Sequence, residues 1–548
     1  MAIETIVTPE MIEEYTTKGF WGEMTVRDHF QQRVKETPHR VAVIDRESRI
    51  TYRELDEMSN RLAFRFLELG VKKEDIVCIQ LPNCIEFVST FFGLIKIGAI
   101  VVSFPMPFRK KEVGYILDLT QAPAIVIPSE FKGFDYLKMV RELSIDLPKL
   151  QHIIMSGDTV PSGINSLKEM LESKVEERYA PDHLQKIDID ANDIPLIFIT
   201  AGTEAEPKAP MWTHNTVNAI VPSLREAFGL TEHSIAFCAV PICSGFGGFF
   251  GCFMILALAG HTLVLLDTFD PRETLEWVEK ENVTHLLAVS AQVIPMLNLS
   301  NLNEYDLGSL RCWISFGAPV PAAVAREAHS KMGCKVLSGY GSTEAVAIVP
   351  RWDDPLEVVT ETVGRPIPQC EIRILDDDGQ DVPFGEAGEL CARGATPFVG
   401  YYGRPDLTKK SRNKEGWLFT GDRALIGDDG NVRIVGRKKD MILRGGMNIS
   451  AEEIEELLFT HPKVLNTSVV AMPDQRMGEK VCAYIIPKEG DMISLKEVVS
   501  FLKEKDLAIY KLPERVELVD DLPITPAGKV QKRLLRADVA GKLEAEGN

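Results

Sequence analysis

From the start of the chain to about Pro350, short and almost wholly apolar runs alternate with segments of helical spacing, and this alternation constrains the fold more than any other feature. "DIVCIQLPN", "FFGLIKIGAIVVSF", "APAIVIPS", "LQHIIMSG", "THLLAVS" and "LRCWISFG" each set a strand-like run beside a helical one. Strands with no polar alternation are buried on both faces, so the pattern predicts an α/β fold of parallel sheets covered by helices. In "ITYRELDEMSNRLAFRFLELGV", Thr51 and Glu54 form a capping box, and Leu55, Met58, Leu62, Phe66 and Leu69 follow at helical spacing. Beyond Pro350 the texture changes. "CEIRILDDDGQDVPFGEAGELCARG" and "GDDGNVRIVGRKKDMIL" read as antiparallel hairpins of a β-barrel-like subdomain. "SAEEIEELLFTHPKV", "NTSVVAMPD", "KVCAYIIPK" and "SLKEVVSFLKEKD" then form an α+β unit of about 110 residues, a domain by size. The division expected is a large domain over 1–437, a hinge at 438–440 and a small mobile domain over 440–548.

A length of 548 residues exceeds what one core holds. The formal charge of −19 gives no attractive field for a phosphate backbone or an anionic bilayer, which argues against nucleic-acid binding. Ten cysteines without a C-x-x-C pair fit buried thiols in a reducing compartment rather than a disulfide framework or a zinc site. "MAIETIVTPEMIEEY" lacks the basic-then-apolar pattern of a signal peptide, so a cytoplasmic location is expected. "FGGFFGCFMILALAGHTLVLL" is long enough to raise the question of a membrane span, but Gly260 and His261 split it into a Gly-rich helix and a strand. No span is expected.

The stretch "FITAGTEAEPKAPMWTHN" carries the first chemistry. Gly202 and Lys208 have the spacing of a phosphate loop, yet Pro207 stands at the second glycine and Ala209 at the hydroxyl of a Walker-type motif. A plain strand-to-helix turn is the alternative. In "SGYGSTEA", Tyr340 offers a face to a base, Thr343 a hydroxyl to a phosphate, and Glu344 a carboxylate to Mg²⁺. "GWLFTGDRA" places Asp422 where a carboxylate accepts from ribose hydroxyls, and "PITPAGKVQK" puts Lys529 on a rounded tip. Taken singly, a hairpin Asp is a turn former and a terminal Lys a solvated charge.

Together and in order, "TAGTEAEPKA", "YGSTE", "TGD", "GRKKDMILRGGMNIS" and "PITPAGKVQK" resemble the AMP-forming acyl-CoA synthetases of the adenylate-forming superfamily over nearly the whole chain. The resemblance implies a two-step ligase using ATP, Mg²⁺ and coenzyme A: a carboxylic acid is joined to AMP with loss of pyrophosphate, and the thiol of coenzyme A then displaces AMP. It assigns Thr200, Gly202, Thr203 and Lys208 to the β- and γ-phosphates, Thr343 and Glu344 to the α-phosphate and Mg²⁺, and Gly317, Ala318, Pro319 and Tyr340 to adenine. Asp422 and Arg437 fall on the ribose. Lys529 bridges the attacking carboxylate and the α-phosphate, Lys439 is the hinge about which the small domain turns between half-reactions, and Gly445 and Gly446 border the pantetheine channel.

Ala205 and Ala209 depart from the family loop, which has glycines there, and would strain it if those positions needed positive φ. Ser244 stands where relatives carry a larger residue, so Ser244, Gly245 and Gly339 are expected at a roomy acyl pocket. That pocket draws on Val240–Gly251, Ala288–Ala291, Phe316–Ala318 and Gly339–Ala345, with no basic partner for a second carboxylate. A hydrophobic monocarboxylate is expected from this lining, and the resemblance of "GRKKDMILRGGMNISAEEIEELL" and "YGSTEAVAIVPRWDDP" to ligases of medium-chain and alicyclic acids implies cyclohexanecarboxylate-like acids first, then benzoate or medium-chain fatty acids, in either reaction direction. The rival readings are an adenylating enzyme that loads a carrier protein and a non-catalytic nucleotide or acyl-ligand sensor. A monomer or homodimer is expected.

Overall fold

The computed structural model describes residues 3–200, 207–318, 320–445, 447–525 and 528–546. Two large sheets organise the N-terminal domain. One runs, edge to edge, Gly400–Tyr401, Pro210–Trp212, Leu196–Phe198, Ile100–Ser103, Ile76–Ile79, Ala124–Pro128, His152–Ser156, Asn165–Ser166. It is parallel except at Pro210–Trp212 and Gly400–Tyr401, which pair antiparallel. The other runs Lys335–Ser338, Cys312–Ser315, His285–Leu287, Ile235–Cys238, Thr262–Leu265, Val41–Ile44, Arg49–Thr51 and is antiparallel only at its last strand. Ile76–Ile79 and Ile100–Ser103 are buried along their whole length, which is why they carry no polar alternation.

Helix Tyr52–Glu68 begins at the predicted capping box, with Thr51 Oγ1 accepting from Glu54 N and the Glu54 carboxylate from Thr51 N. It packs on helix Ile85–Lys96, whose Lys96 is buried yet fully paired, with Nζ 2.6 Å from Asp56 Oδ1 and Ser59 Oγ and 2.7 Å from Asn60 Oδ1. The apolar segment after Ser244 divides as expected at Gly260, which adopts φ +71° before strand Thr262–Leu265. Its helical part holds a difference: only Gly245–Gly248 is α, and Phe249–Ala259 is a π-helix. Among the described residues no helix is long and apolar enough to cross a membrane.

The hairpin region forms a three-stranded sheet, Tyr340–Gly341, Val346–Val349 and Arg365–Pro366, and a four-stranded antiparallel sheet, Cys370–Leu375, Gly388–Gly394, Leu418–Ile426 and Val432–Arg437. The bonds from Val363 N to Val432 O and from Val432 N to Gly364 O curl one sheet onto the other. The smaller C-terminal domain has its own sheet, with Val464–Asp474 and Gly478–Pro487 as its long hairpin, and its own core around Ile454, Val469, Val481 and Leu502. All ten cysteines are free, nine of them buried and Cys84 half-buried.

Candidate active site

The site lies at the carboxyl ends of the parallel strands of the seven-stranded sheet, where open α/β sheets leave a crevice. Strand Ile235–Cys238 leads into Val240 and Ser244, Cys312–Ser315 into Phe316 and Gly317, and Lys335–Ser338 into the Tyr340 turn. Between these ends is a cavity of about 100 Å³, walled by Phe198, Trp212, Val240, Phe246, Phe249, Phe250 and Phe316. The phenyl centroids of Phe250 and Phe316 are 4.7 Å apart and those of Phe246 and Phe250 are 5.1 Å apart, so the wall is a continuous aromatic cluster. Gly341, Ser342, Thr343 and Lys529 close the polar end.

The two serines of the lining are already engaged. Ser244 caps the Gly245 helix, accepting from Gly247 N at 2.9 Å and donating to Pro241 O at 2.7 Å. Ser342 Oγ accepts from the backbone of Glu344 and Ala345. Gly339 is not on the wall but behind it: a methyl there would fall 2.3 Å from Phe316 Cζ, so the bare backbone is what lets Phe316 lie where it does. Ala288–Ala291 likewise stand outside the lining, with Val289 and Ala291 backing Gly528.

Lys529 comes from the C-terminal domain. Its turn is closed by Thr525 N donating to Lys529 O and Lys529 N to Thr525 Oγ1. The side chain crosses the face of Gly317, where a methyl would meet Lys529 Cε at 3.2 Å, and Gly317 has φ +90°. Burial, reinforced by repulsion from Arg437, pulls the Lys529 ammonium down to about 8, with Asp422 and Glu344 opposing the shift.

Asp422 and Arg437 face each other in the hairpin register. Arg437 Nε is 2.8 Å from Asp422 Oδ1, and Tyr340 donates its hydroxyl to Asp422 Oδ2 at 2.6 Å. Asp422 is buried, and burial, reinforced by this carboxylate, raises the Tyr340 phenol well above its ordinary range. Each carboxylate oxygen keeps a second lone pair for another donor.

Of the residues expected to form a phosphate loop, Thr200 and Lys208 are described and form a clasp. Thr200 N donates to Lys208 O at 2.9 Å, and Lys208 N donates to Thr200 Oγ1 at 3.0 Å. The exposed Lys208 holds its ammonium 5.2 Å from the Tyr401 ring centroid, and Tyr401 donates to Glu344 Oε1 at 2.9 Å. Gly202, Thr203, Ala205, Pro319 and Gly446 lie outside the described residues. Ala209 is described, buried and absent from the positive-φ residues, so the strain considered for it does not arise there. Ala318 follows Gly317 at the rim and is half-buried.

In the small domain, Gly445 has φ +57°, donates to Met477 O, and has Met477 Cε 2.6 Å from where a methyl would sit. Lys439 lies in the 3-10 turn Lys438–Asp440, flanked by Lys438 on Asp377 and Asp440 on Arg536. Sequence reasoning missed Phe198, Trp212 and Tyr401. The first two lie on the strands before and after residues 200–208, and Trp212 Nε1 donates to Thr343 O at 3.0 Å, tying strand Pro210–Trp212 to the "YGSTE" stretch.

Residues 30–402 match the AMP-binding enzyme family, and residues 453–529 match the AMP-binding enzyme C-terminal domain. The chain belongs to this family. A medium-chain fatty-acid–CoA ligase of Escherichia coli K12 is 34% identical over 533 residues, covering 96% of this chain and 93% of that one. A 2,3-dihydroxybenzoate-AMP ligase of Bacillus subtilis strain 168 is 32% identical, covering 98% and 97%. Among solved structures, an anthranilate CoA ligase in complex with anthranoyl-AMP superimposes with a TM-score of 0.88 at 26% identity, covering 96% of this chain and 98% of that one. The protein is thus an AMP-forming ligase-family enzyme, and ATP, Mg²⁺ and coenzyme A are the cofactors of its acyl-CoA ligase relatives.

The donor set fits such a metal. Mg²⁺ rides on phosphates with one or two carboxylates and water. Glu344 supplies one carboxylate at the polar end, and the described residues include no cluster of three ligating side chains that would cage a metal by itself.

Proposed function

We propose that this AMP-binding enzyme activates a hydrophobic monocarboxylate with a single ring, alicyclic and cyclohexanecarboxylate-like before aryl or medium-chain, and passes the acyl group to coenzyme A. The observation that carries this reading is Lys529 at the mouth of a small cavity walled by aromatic rings. A cavity of about 150 Å³ holds benzene in an engineered core, so about 100 Å³ suits the body of one ring after slight adjustment and not an extended chain. With Ser244 and Ser342 engaged by backbone partners, the lining offers little to a ring hydroxyl, which favours an unsubstituted ring.

In the first half-reaction a carboxylate oxygen forms a bond to the α-phosphorus of ATP, and the bond from that phosphorus to the β-phosphate oxygen breaks to release pyrophosphate. Two anions must meet, so repulsion is the barrier to remove. Lys529 stands between the apolar cavity and the Asp422 side, where its ammonium neutralises both the entering carboxylate and the α-phosphate. Thr343 donates to the same phosphate, while Lys208 and the Thr200 loop hold the β- and γ-phosphates. Glu344 would carry Mg²⁺, which spreads the charge of the triphosphate. Tyr340, with Gly317, Ala318 and Pro319, receives adenine, and Asp422 with Arg437 receives the ribose.

In the second half-reaction the coenzyme A thiol gives up its proton to water, its sulfur bonds the acyl carbon, and AMP leaves with the bonding pair of the broken acyl carbon–oxygen bond. Lys529 occupies the cavity mouth here, which is the arrangement for the first step. Thioester formation then needs the small domain to turn about 438–440 and bring Gly445 and Gly446 to the pantetheine.

The test is a panel of acids assayed for AMP release with coenzyme A or a carrier protein as acceptor. Cyclohexanecarboxylate and its unsaturated relatives are expected to give the highest kcat/KM, with coenzyme A as acceptor. Higher values for straight chains would reverse the substrate order, and release only with a carrier protein would reassign the acceptor.

A further inference from the structure

The π-helix Phe249–Ala259 bears on the cavity at one end and on a buried phenol at the other. Phe249 and Phe250, at its start, are cavity wall. At its end the backbone pairing is displaced by one residue. Ile255 O accepts from Gly260 N, five residues on, and from His261 N, six residues on. Leu256 O, which an α-helix would pair with Gly260 N, has no helical donor. The hydroxyl of Tyr52 stands over this end of the segment and shares its one proton between His261 O at 2.7 Å and Leu256 O at 3.2 Å. Tyr52 is fully buried on the first turn of a different helix. A buried carbonyl left without a donor is costly, so Tyr52 stabilises the displaced pairing and opposes the ordinary one.

The other end is clamped by sterics. A methyl on Gly247 would fall 2.2 Å from Pro241 O, and one on Gly248 2.7 Å from Ile242 O, so this turn is pressed against the preceding backbone. Gly248 N still donates to Ser244 O four residues back, in α register. The segment therefore holds one residue more than an α-helix would place between the same two anchors. Sliding that residue out would turn part of the segment by about 100°, the angle between successive α-helical residues. Phe249 and Phe250 would leave their present places against Trp212 and Phe316, which are set by ring separations of 5.8 and 4.7 Å.

We propose that the π register of Phe249–Ala259 sets the width of the cavity, and that Tyr52, which is not among the residues lining the cavity, is the positioning residue that selects this register and with it the acid the enzyme prefers. The specificity part rests on the acyl-cavity reading above; the register part does not. π-Turns inside helices occur often at functional sites, where a shifted side chain justifies their weaker geometry.

The test compares the wild type with Tyr52→Phe, which removes a single oxygen, and with a deletion of Ala257, which removes the extra residue while keeping Tyr52. For each, kcat/KM is measured with octanoate and with benzoate, together with the KM for ATP. The octanoate-to-benzoate ratio is expected to change by about fivefold or more in Tyr52→Phe, and in the same direction in the deletion, with the KM for ATP held within about twofold. A ratio unchanged in both variants, or both acids falling in step, overturns the proposal, because a purely structural role would lower stability without redirecting choice. A crystal structure of Tyr52→Phe tests the register without any substrate. Gly260 N is expected on Leu256 O with Phe250 turned from Phe316, and Gly260 N still on Ile255 O overturns it. Wild-type enzyme that turned over neither acid would remove the acyl reading and leave this structural arm to decide the register.

Discussion

The two sides of Lys529 are built differently. The apolar side is finished before any ligand arrives: its rings are packed edge to face, its serines are bonded to backbone, and Gly339 and Gly247 bring main chain to within contact of other groups. The polar side is provisional. Lys208 is exposed with its ammonium over the Tyr401 ring, Tyr401 and Glu344 pair with each other, and Asp422 is held by Tyr340 and Arg437 with lone pairs to spare. The difference teaches where selection and where charge handling reside. Under the proposed mechanism the preformed cavity selects acids by shape, whereas the cations and acceptors gather around a triphosphate that brings most of the charge itself.

Removing the residue between the two sides should have the largest effect. Lys529→Ala is expected to lower acid-dependent exchange of pyrophosphate into ATP by about 10²–10³-fold, the range for losing one preorganised donor to developing charge, with the KM for the acid changed far less. Full exchange activity in this variant would refute the assigned mechanism. The cation is the working form, so the pH dependence follows from its depressed value. Below about 8 the ammonium persists, and as pH rises through about 8 it is lost, more than two units earlier than for an ordinary lysine. In free enzyme, kcat/KM for ATP should therefore fall above pH 8. A profile flat to pH 10 would place the ammonium in a more solvated position.

How much of this was legible in the sequence depended on what carries the information. The parallel sheets were readable because strands buried on both faces lose their polar alternation, and the Thr51 cap because its bonds are local. Lys529, Asp422 and Tyr340 were readable as types within ordered motifs, but their meeting was not, since it joins hairpin register to a turn more than 100 residues away in the chain. Gly339 looked like a wall residue and proved to be a support behind Phe316. Its neighbours in sequence could not show that, because the clash is with a ring on an adjacent strand end. The π register of Phe249–Ala259 was invisible for a related reason. An all-apolar helix has no stripe whose period could reveal a change of winding, and the group that fixes it, Tyr52, is about 200 residues earlier.

Paired substitutions on the two sides should come next in size and sharpen the contrast. Asp422→Asn removes the charge that Arg437 faces and is expected to raise the KM for ATP by about tenfold or more, the worth of a charge-assisted hydrogen bond, with the KM for the acid little changed. Gly339→Ala pushes on Phe316 from behind and should do the reverse: a several-fold rise in the KM for the acid, consistent with about 1–3 kcal/mol for overpacking, and an unchanged KM for ATP. Steady-state kinetics with each substrate varied in turn reads both. If either variant moved both KM values together, the sides would be coupled through Lys529 and the division drawn above would fail.

The smallest effect is expected at Ala209, the departure from the family loop that drew attention first. Its φ is not positive where the chain leads into strand Pro210–Trp212, its carbonyl accepts from Tyr402 N, and its methyl is buried. Nothing there calls for a glycine. Ala209→Gly should leave the KM for ATP and the rate of pyrophosphate release within about twofold, and lower stability by about 0.5–1 kcal/mol through the greater freedom of the unfolded chain. A marked acceleration of pyrophosphate release would show instead that the polar side works by a movement the alanine restrains. That movement would then have to run through the Thr200–Lys208 clasp, because Lys208 is the residue next to Ala209 and both of its backbone groups are bonded to Thr200.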